Sequence, residues 1–339
     1  MHKKVIWFDL TNVPHVNFLA PIMNHFKEYQ QIYSIRDFAE TKGLFEKTMN
    51  KKYYLIGKHM GKNKFMKVYG SFMRIPKLYR TIPQFDVKIS VGGDASSIVA
   101  KLRGKKSITF DDNERAPNWR YSKFTDLAFW PNAIDKEILL KQGFNSDNLM
   151  QYNGFKEDLY IADYTPNPSF LDLIPFKSYV VVRPENIEAN YANGNSISII
   201  PELLELFKDL KKNVLFLPRY SHDRELGLKY SHIFMPSTAI NGLDACYYSE
   251  AVFTGAGTMA REAGCLGVPA FSFYTGKKML TVDQTMIKKS WLYFSRNPNE
   301  LVEKFLNTQK RKPDLERPKK VKKEILEYLE TFFDKNDLK

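Results

Sequence analysis

The chain has 339 residues, enough for two domains of ordinary size. Its 43% hydrophobic and 26% charged content is that of a globular protein, and no run of about 18 apolar residues offers a transmembrane helix. Two cysteines, Cys246 and Cys265, supply neither a disulfide framework nor a zinc site and point to a reducing, cytoplasmic setting, while the net charge of +13 has to be located before it is interpreted.

In chain order, a first strand is expected over Lys4–Phe8; the apolar part of MHKKVIWFDL is too short for a signal peptide. Asp9-Leu10-Thr11-Asn12-Val13-Pro14-His15 follows, then a helix over Phe18–Tyr29, which sets His15 on the first strand-to-helix loop. Open α/β sheets bind ligands at that edge. An imidazole titrating near neutrality can act there as a general base, or it can simply cap and pack the loop. Strands over Gln31–Ile35 and Tyr53–Ile56 come next, with His59 in GKHMGK as a weaker candidate. From Lys47 to Phe85 there are ten Lys and Arg and no Asp or Glu. Phe65, Met66, Val68, Tyr69, Phe72, Met73, Ile75, Leu78 and Tyr79 are interleaved with them. Part of this stretch must pack on a sheet. The remainder, with Lys62, Lys64, Lys67, Arg74 and Lys77, suits an anionic bilayer surface, so peripheral membrane contact is expected. No RRM, KH, helix-turn-helix or zinc-finger pattern accompanies the charge, and no nucleic-acid partner is expected.

A strand over Val87–Val91 runs into Gly92-Gly93-Asp94 and a helix over Ser97–Leu102; Asp94 serves either as an N-cap or as an acid/base group. The strand Lys106–Phe110 ends in Asp111-Asp112-Asn113-Glu114, where like charges raise one another's pKa and can serve acid/base steps or hold a cation. A further strand covers Asp126–Phe129, and the proline-containing Tyr164–Phe176 suits a linker, with the domain boundary near 165. Tyr179–Arg183, Val214–Leu217 and His232–Met235 are strands of the second half, with a helix over Ile199–Leu210. Arg183 closes the first of these strands, and Arg219 and His222 follow the second.

Residues 250–276 are the most informative. Strand Ala251–Phe253, loop Gly255-Ala256-Gly257-Thr258, helix Met259–Leu266 and strand Ala270–Phe273 form one βαβ unit. Its glycines let backbone N–H groups approach a ligand, and the helix N-terminus favours an anion, although a tight turn alone also uses glycine. Glu262, one turn into the helix, can accept hydrogen bonds from a ribose diol, so a nucleoside diphosphate fits. The second basic run, Lys310-Arg311-Lys312 with Arg317, Lys319, Lys320, Lys322 and Lys323, reads as solvated surface. A last helix over Val321–Phe333 carries Val321, Ile325, Leu326, Leu329 and Phe332 near a 3.6-residue period.

The 250–276 string resembles the nucleotide-sugar loop of GT-B enzymes. That resemblance implies that Glu262 contacts the ribose of UDP and that Gly255, Gly257 and Thr258 line the diphosphate, with Arg183 and Arg219 as its cations. Asp283-Gln284 in LTVDQTMIKKS resembles the pair that binds donor-sugar hydroxyls in such transferases. The segment NVPHVNFLAPIMNHF resembles the opening loop of the lipid-linked muramyl-peptide N-acetylglucosaminyltransferase, without its glycines. Residues 86–114 resemble the non-hydrolysing UDP-N-acetylglucosamine 2-epimerase, with Asp94 and Asp111 in places comparable to its acidic residues. Over nearly its full length the chain resembles the domain of unknown function family 354, through Asp9–His15, Gly57–His59 and Gly257–Ala263.

These resemblances imply an α/β, GT-B-like fold of two Rossmann-like, doubly wound domains facing a cleft. Residues 1–165 would form an acceptor and catalytic domain, 166–320 a nucleotide-sugar domain, and 321–339 a helix packing back towards the N-terminal domain. The implied activity is glycosyl transfer from a nucleotide diphosphate sugar, UDP-linked, without metal or cofactor. His15 or Asp94 would deprotonate a lipid-linked or glycan acceptor in envelope or glycan synthesis. A 2-epimerase-like enzyme using Asp94 and Asp111 is the alternative, and a non-catalytic nucleotide-sugar-binding protein is a third reading.

Overall fold

The computed structural model describes residues 3–37, 41–58, 64–185, 197–276 and 278–338, the side chains of 64–68 excepted. The chain forms two α/β units: unit 1 is Met1–Ala162 together with Arg317–Lys339, and unit 2 is Asp163–Glu316. Unit 1 runs β1 (Val5–Leu10), α1 (Val13–His25), β2 (Gln30–Asp37), α2 (Thr41–Met49), β3 (Tyr54–Lys58), α3 (Lys64–Thr81), β4 (Val87–Val91), α4 (Asp94–Leu102), β5 (Lys106–Phe110), β6 (Leu127–Pro131), α5 (Lys136–Lys141), β7 (Leu149–Tyr152) and α6 (Asp158–Ile161). Unit 2 continues with β8 (Val180–Arg183), α7 (Ile200–Asp209), β9 (Val214–Phe216), α8 (Ser221–Gly227), β10 (Ile233–Phe234), α9 (Gly242–Tyr248), β11 (Val252–Thr254), α10 (Gly257–Cys265), β12 (Ala270–Ser272), α11 (Thr281–Lys288), β13 (Leu292–Phe294) and α12 (Pro298–Leu306). The last helix, α13 (Glu316–Lys335), belongs to unit 1.

Each unit holds one parallel sheet. The strand orders are β3-β2-β1-β4-β5-β6-β7 and β10-β9-β8-β11-β12-β13, both the doubly wound arrangement of a Rossmann-type fold. The central strands are apolar on both faces because helices cover both: Val180, Val181 and Val182 of β8 are fully buried, as are Trp7 and Phe8 of β1. In unit 2, Phe207 of α7 and Phe305 of α12 pack edge-on against Phe253 of β11. In unit 1, Leu78 and Ile82 from the α3 segment join Trp7, Ile32 and Ile56 in one cluster. Helix α13 seats Val321, Ile325, Leu329 and Phe333 in unit 1, and Phe333 stacks on Phe26 at 4.6 Å. Its buried row is spaced every four residues, so Phe333 takes the inward place that the periodicity assigned to Phe332. Among the described residues no helix is long and apolar enough to cross a membrane.

Two differences from the sequence expectation matter for the site. Helix α1 begins at Val13 rather than Phe18, because the Asn12 side chain accepts the Val13 N–H and Pro14 is preorganised for the first turn. His15 therefore lies in the first turn of a helix, not on the loop. Helix α4 begins at Asp94 itself, after Gly93 in the left-handed region, so Asp94 is the first helical residue and not the N-cap. Strands β7 and β13 carried no expectation. Each is a short edge strand of three or four residues, too brief for a period to show.

Candidate functional site

In doubly wound sheets the crevice for ligands opens where the strand order reverses, at the carboxyl ends of the strands. In unit 1 that point lies between β1 and β4, and in unit 2 between β8 and β11.

At the end of β1, Asp9 is fully buried and takes both terminal nitrogens of Arg74, at 2.9 and 2.6 Å, with Ser34 Oγ donating at 2.6 Å. Burial pushes the Asp9 carboxyl up, but Arg74, with hydrogen bonds from Ser34 and Ser96, outweighs it and holds the group below the ordinary carboxylate range. Arg74 also donates from Nε to the Ile56 carbonyl and is itself buried. Arg74 is thus committed inside unit 1, which corrects its assignment to a bilayer-facing set. The Nδ1 of His15 accepts from the Thr11 N–H at 3.4 Å and lies 3.3 Å from the Thr11 hydroxyl, which leaves Nε2 as the protonated nitrogen. Burial, reinforced by Lys156 and opposed by Asp9 and Asp112, lowers the His15 pKa to about 3. At neutral pH His15 is a neutral hydrogen-bond donor, a geometry unlike that of the general base expected from its sequence position.

At the end of β4, a Cβ on Gly93 would stand 2.8 Å from both Ser90 Oγ and Ser96 Oγ, and φ is +101°, so only glycine fits. Asp94 is half-buried and its Oδ1 accepts from the Ala95 N–H at 2.8 Å. Below this loop Lys88 is buried with Nζ donating to Ser90 and Ser97, each at 2.8 Å, and desolvation brings its pKa down to about 7.

At the end of β5, Asp111 Oδ1 accepts from the Asp112 and Asn113 N–H groups at 2.8 and 3.0 Å, and Oδ2 accepts from the Tyr121 hydroxyl at 2.8 Å. A Cβ on Gly92 would be 3.3 Å from Asp111 Oδ2, so this carboxyl lies directly against the glycine loop that carries Asp94. Burial first, and Asp112 second, raise the Asp111 pKa to about 6 against the lowering effect of its hydrogen bonds. The three neighbouring carboxylates do not act alike. Asp112 is neutralised by Lys156 at 2.8 Å, both nearly buried, and Glu114 lies buried 3.7 Å from Arg115. Tyr121 stays protonated, since burial and Asp111 raise its pKa well above the usual value.

In unit 2, Arg183 ends β8 and is half-buried. Beyond it the buried Glu185 accepts from Ser198 Oγ at 2.9 Å, the Ile199 N–H at 3.2 Å and Arg296 Nη1 at 3.0 Å. Arg219 donates from Nε to the Pro184 carbonyl at 2.8 Å, which ties the β9 loop to the β8 loop. A Cβ on Gly255 would fall 2.5 Å from the Glu185 Cα, so the protein's own backbone approach already demands this glycine. Gly257 opens α10, a helix of nine residues, and Thr258 and Glu262 are half-buried one turn apart on it. The Asp283 carboxylate accepts from Arg261 Nη1 at 2.9 Å, with both side chains nearly buried. It is therefore held inside unit 2 by a cation rather than presented as a bare sugar ligand. Gln284 is exposed and donates to the Met279 carbonyl at 3.1 Å. His222 is largely exposed, 3.4 Å from Asp223. Of the second basic run, Lys310 donates to the Tyr247 and Ser249 carbonyls, Arg311 lies 4.7 Å over the Trp291 ring, and Arg317 pairs with the buried Asp158. Arg311 and Arg317 are internal ties rather than the solvated surface expected, whereas Lys310 remains exposed while it makes its contacts. His59 and Lys62 lie outside the described residues.

The switch points thus bring His15, Asp94 and Asp111 to one edge of unit 1, and Arg183, Gly255, Gly257 and Thr258 to one edge of unit 2. Sequence reasoning missed Lys156, Tyr121, Lys88, Arg261 and Arg296, and it gave Arg74 a different place. Asp9 and Arg74 are 65 residues apart and Glu185 and Arg296 are 111 apart, so no local spacing could pair them. Among the described residues no group of three or more His, Cys, Asp or Glu gathers as a metal-ligating cluster.

Solved structures similar to this chain share its architecture. The UDP-GlcNAc 2-epimerase of Neisseria meningitidis, solved bound to UDP-GlcNAc, has a TM-score of 0.74 at 13% identity, covering 96% of this chain and 100% of its own. The UDP-GlcNAc 2-epimerase of Methanocaldococcus jannaschii, solved in complex with UDP-GlcNAc and UDP, has a TM-score of 0.69 at 18% identity over 96% and 99% of the two chains. A glycotransferase of kitacinnamycin follows at 0.63 and 10%, over 96% and 95%. At these identities the likeness is one of fold, and the fold is GT-B-like. In sequence, an uncharacterized protein of Methanocaldococcus jannaschii is 26% identical over 315 residues, 88% of this chain and 89% of that protein. The family described as Protein of unknown function (DUF354) matches residues 4–334, and the chain belongs to it.

Proposed function

We propose that the chain is an enzyme acting on a nucleotide diphosphate sugar, with the nucleotide subsite on the β8/β11 edge of unit 2 and the proton-transfer groups on the β1/β4/β5 edge of unit 1. The observation that carries this reading is Asp111: a carboxyl near pKa 6, hydrogen-bonded by Tyr121 and set against the loop that presents Asp94. Such a group gives and takes protons readily at neutral pH. On unit 2, the α10 N-terminus, Thr258 and the Arg183 cation match the needs of a diphosphate, and Glu262 those of a ribose diol. That structural relatives were solved with UDP-GlcNAc or UDP supports this nucleotide class.

Of the two sugar reactions, the geometry favours 2-epimerisation. In that reaction a base takes the proton from C2, the C1–O bond breaks and its electron pair leaves with UDP. UDP then returns to C1 as C2 regains a proton on its opposite face. Two carboxyls on adjacent loops suit these two proton steps, and a neutral His15 can donate a hydrogen bond from Nε2. Glycosyl transfer needs one base at the acceptor hydroxyl; of the two groups the sequence suggested, His15 has its Nδ1 occupied and its basicity suppressed, which leaves Asp94 for that role. A specific observation keeps transfer as the second reading: α3 exposes aromatic and basic side chains suited to a lipid-linked acceptor.

The test is incubation with UDP-N-acetylglucosamine in D2O, following deuterium at C2 by NMR. Exchange is expected, and Asp111→Asn should slow it by about 10²–10⁴. Absence of exchange with every UDP-sugar tried, together with passage of labelled sugar to a lipid acceptor, would overturn epimerisation in favour of transfer.

A further inference from the structure

Helix α3 has two faces of different character. Successive residues turn about 100° around an α-helix, so Tyr69, Phe72, Met73, Lys77, Tyr79 and Arg80 fall within one arc of about 160°. On that arc Phe72 is 68% exposed, Tyr69 53%, Tyr79 44% and Met73 38%. The opposite arc carries Arg74, held by Asp9 and the Ile56 carbonyl, and Leu78, buried in the core of unit 1. The helix is therefore fixed by its inner face, and its outward aromatic row is a built feature rather than a loosely packed one. Exposed rings in a contiguous row are unusual on a surface that meets only water.

We infer that this outer face of α3 docks on an anionic lipid bilayer. The charge pattern selects the occupant. Lys77 and Arg80 flank the rings, and no Asp or Glu occurs from Lys47 to Phe85. Phe and Met reach towards the acyl boundary while Tyr, Lys and Arg sit at headgroup level, the division of an interfacial helix. A second copy of the chain is disfavoured, because a two-fold contact would set the same cations against each other. The inference goes beyond the proposed reaction and does not rest on it. Its consequence for the site is positional, because Arg74 clips this helix to the end of β1, where the His15 turn begins.

The experiment is co-sedimentation of the full chain with phosphatidylglycerol-rich or pure phosphatidylcholine vesicles, at low and high salt. Three proteins are compared: the native chain, Tyr69→Ser with Phe72→Ser, and Lys77→Ala with Arg80→Ala. All altered positions are exposed, and unchanged circular dichroism verifies folding. The native chain should sediment with the anionic vesicles at low salt, much less at high salt, and not with phosphatidylcholine. The charge variant should partition roughly tenfold or more weakly, and the aromatic variant should lose binding to anionic vesicles by a comparable factor. No sedimentation at low salt would overturn the inference, as would equal binding by all three proteins. Preferential capture of an RNA oligonucleotide over the vesicles would assign the face to nucleic acid instead. A dimer abolished by the aromatic variant would assign it to a second copy.

Discussion

Replacing Asp111 with Asn separates charge from shape at the edge of unit 1. An Asn side chain keeps the Oδ1 acceptor for the Asp112 and Asn113 N–H groups, and its amide can donate to Tyr121 where the carboxylate accepted. What disappears is a buried negative charge beside Asp112. A rise from 3.8 to about 6 in the folded state means that Asp111 stabilises the fold in its protonated form. That contribution is complete below about pH 4 and is lost as pH rises through 6. At 1.36 kcal/mol per tenfold change in proton affinity, ionised Asp111 costs about 2–3 kcal/mol at pH 7.5. Asp111→Asn should therefore be more stable than the native chain there. At about 2–4 °C per kcal/mol for a domain of this size, the thermal midpoint of unit 1 should rise by roughly 4–12 °C. His15 has the opposite sign. Its folded pKa of about 3 makes the neutral ring stabilising above pH 6.5, and that stability is lost on acidification towards 3. In the native chain the two slopes oppose each other between about pH 4 and 6. The variant should leave the His15 slope uncovered and lose stability more steeply with acid. Calorimetric scans from pH 4.5 to 8 measure both effects. A variant no more stable at pH 7.5, with a curve parallel to that of the native chain, would refute the reasoning.

Three further outcomes are expected. Glu262→Ala should leave the fold intact and weaken UDP binding by about 1.5–3 kcal/mol, as loss of a charged hydrogen bond does; equal affinity by titration calorimetry would remove Glu262 from the nucleotide subsite. Gly255→Ala forces a Cβ to within 2.5 Å of the Glu185 Cα and should destabilise unit 2 by about 1–3 kcal/mol, more than Gly257→Ala, whose Cβ meets only the end of the Arg261 side chain at 3.0 Å; urea midpoints in the reverse order would contradict this. Arg74→Ala strands the buried Asp9 carboxylate and should cost about 3–5 kcal/mol, partly recovered by adding Asp9→Asn; a single variant as stable as the double would show that the pair is not coupled.

The fold was legible because its strands are short apolar runs separated by helix-length segments. Val87–Val91 and Lys106–Phe110 are strands over the predicted spans, and Gly255–Thr258 opens α10 at a switch point. Helix starts were less legible. A cap such as Asn12 acts through one hydrogen bond, whereas the apolar period of α1 emerges only a turn later. The chemistry of individual groups was hidden for a different reason. Asp111 and Asp112 are adjacent and alike in sequence, yet one meets Tyr121 and the other Lys156, and those partners arrive from separate elements. The cations at Arg74 and Arg317 were visible as charge, but only tertiary contacts show that they are consumed by buried carboxylates.

Unit 1 is discontinuous along the chain, and this shapes its synthesis. Val321 of α13 packs so tightly at Gly154 that a Cβ there would come within 2.5 Å, and Phe333 covers Phe26. These closing residues leave the ribosome only after all of residues 163–316 have been translated, a delay on the order of ten to thirty seconds at usual elongation rates. During that interval the nascent N-terminal sheet stands with the α13 seat uncovered; when it ends, unit 2 has its complete sequence and residues 317–339 are still to come, roughly one to five seconds later. Unit 2 is thus the piece equipped to finish first, reversing the order of appearance, and the open seat beside Phe26 is the surface a chaperone would have to guard.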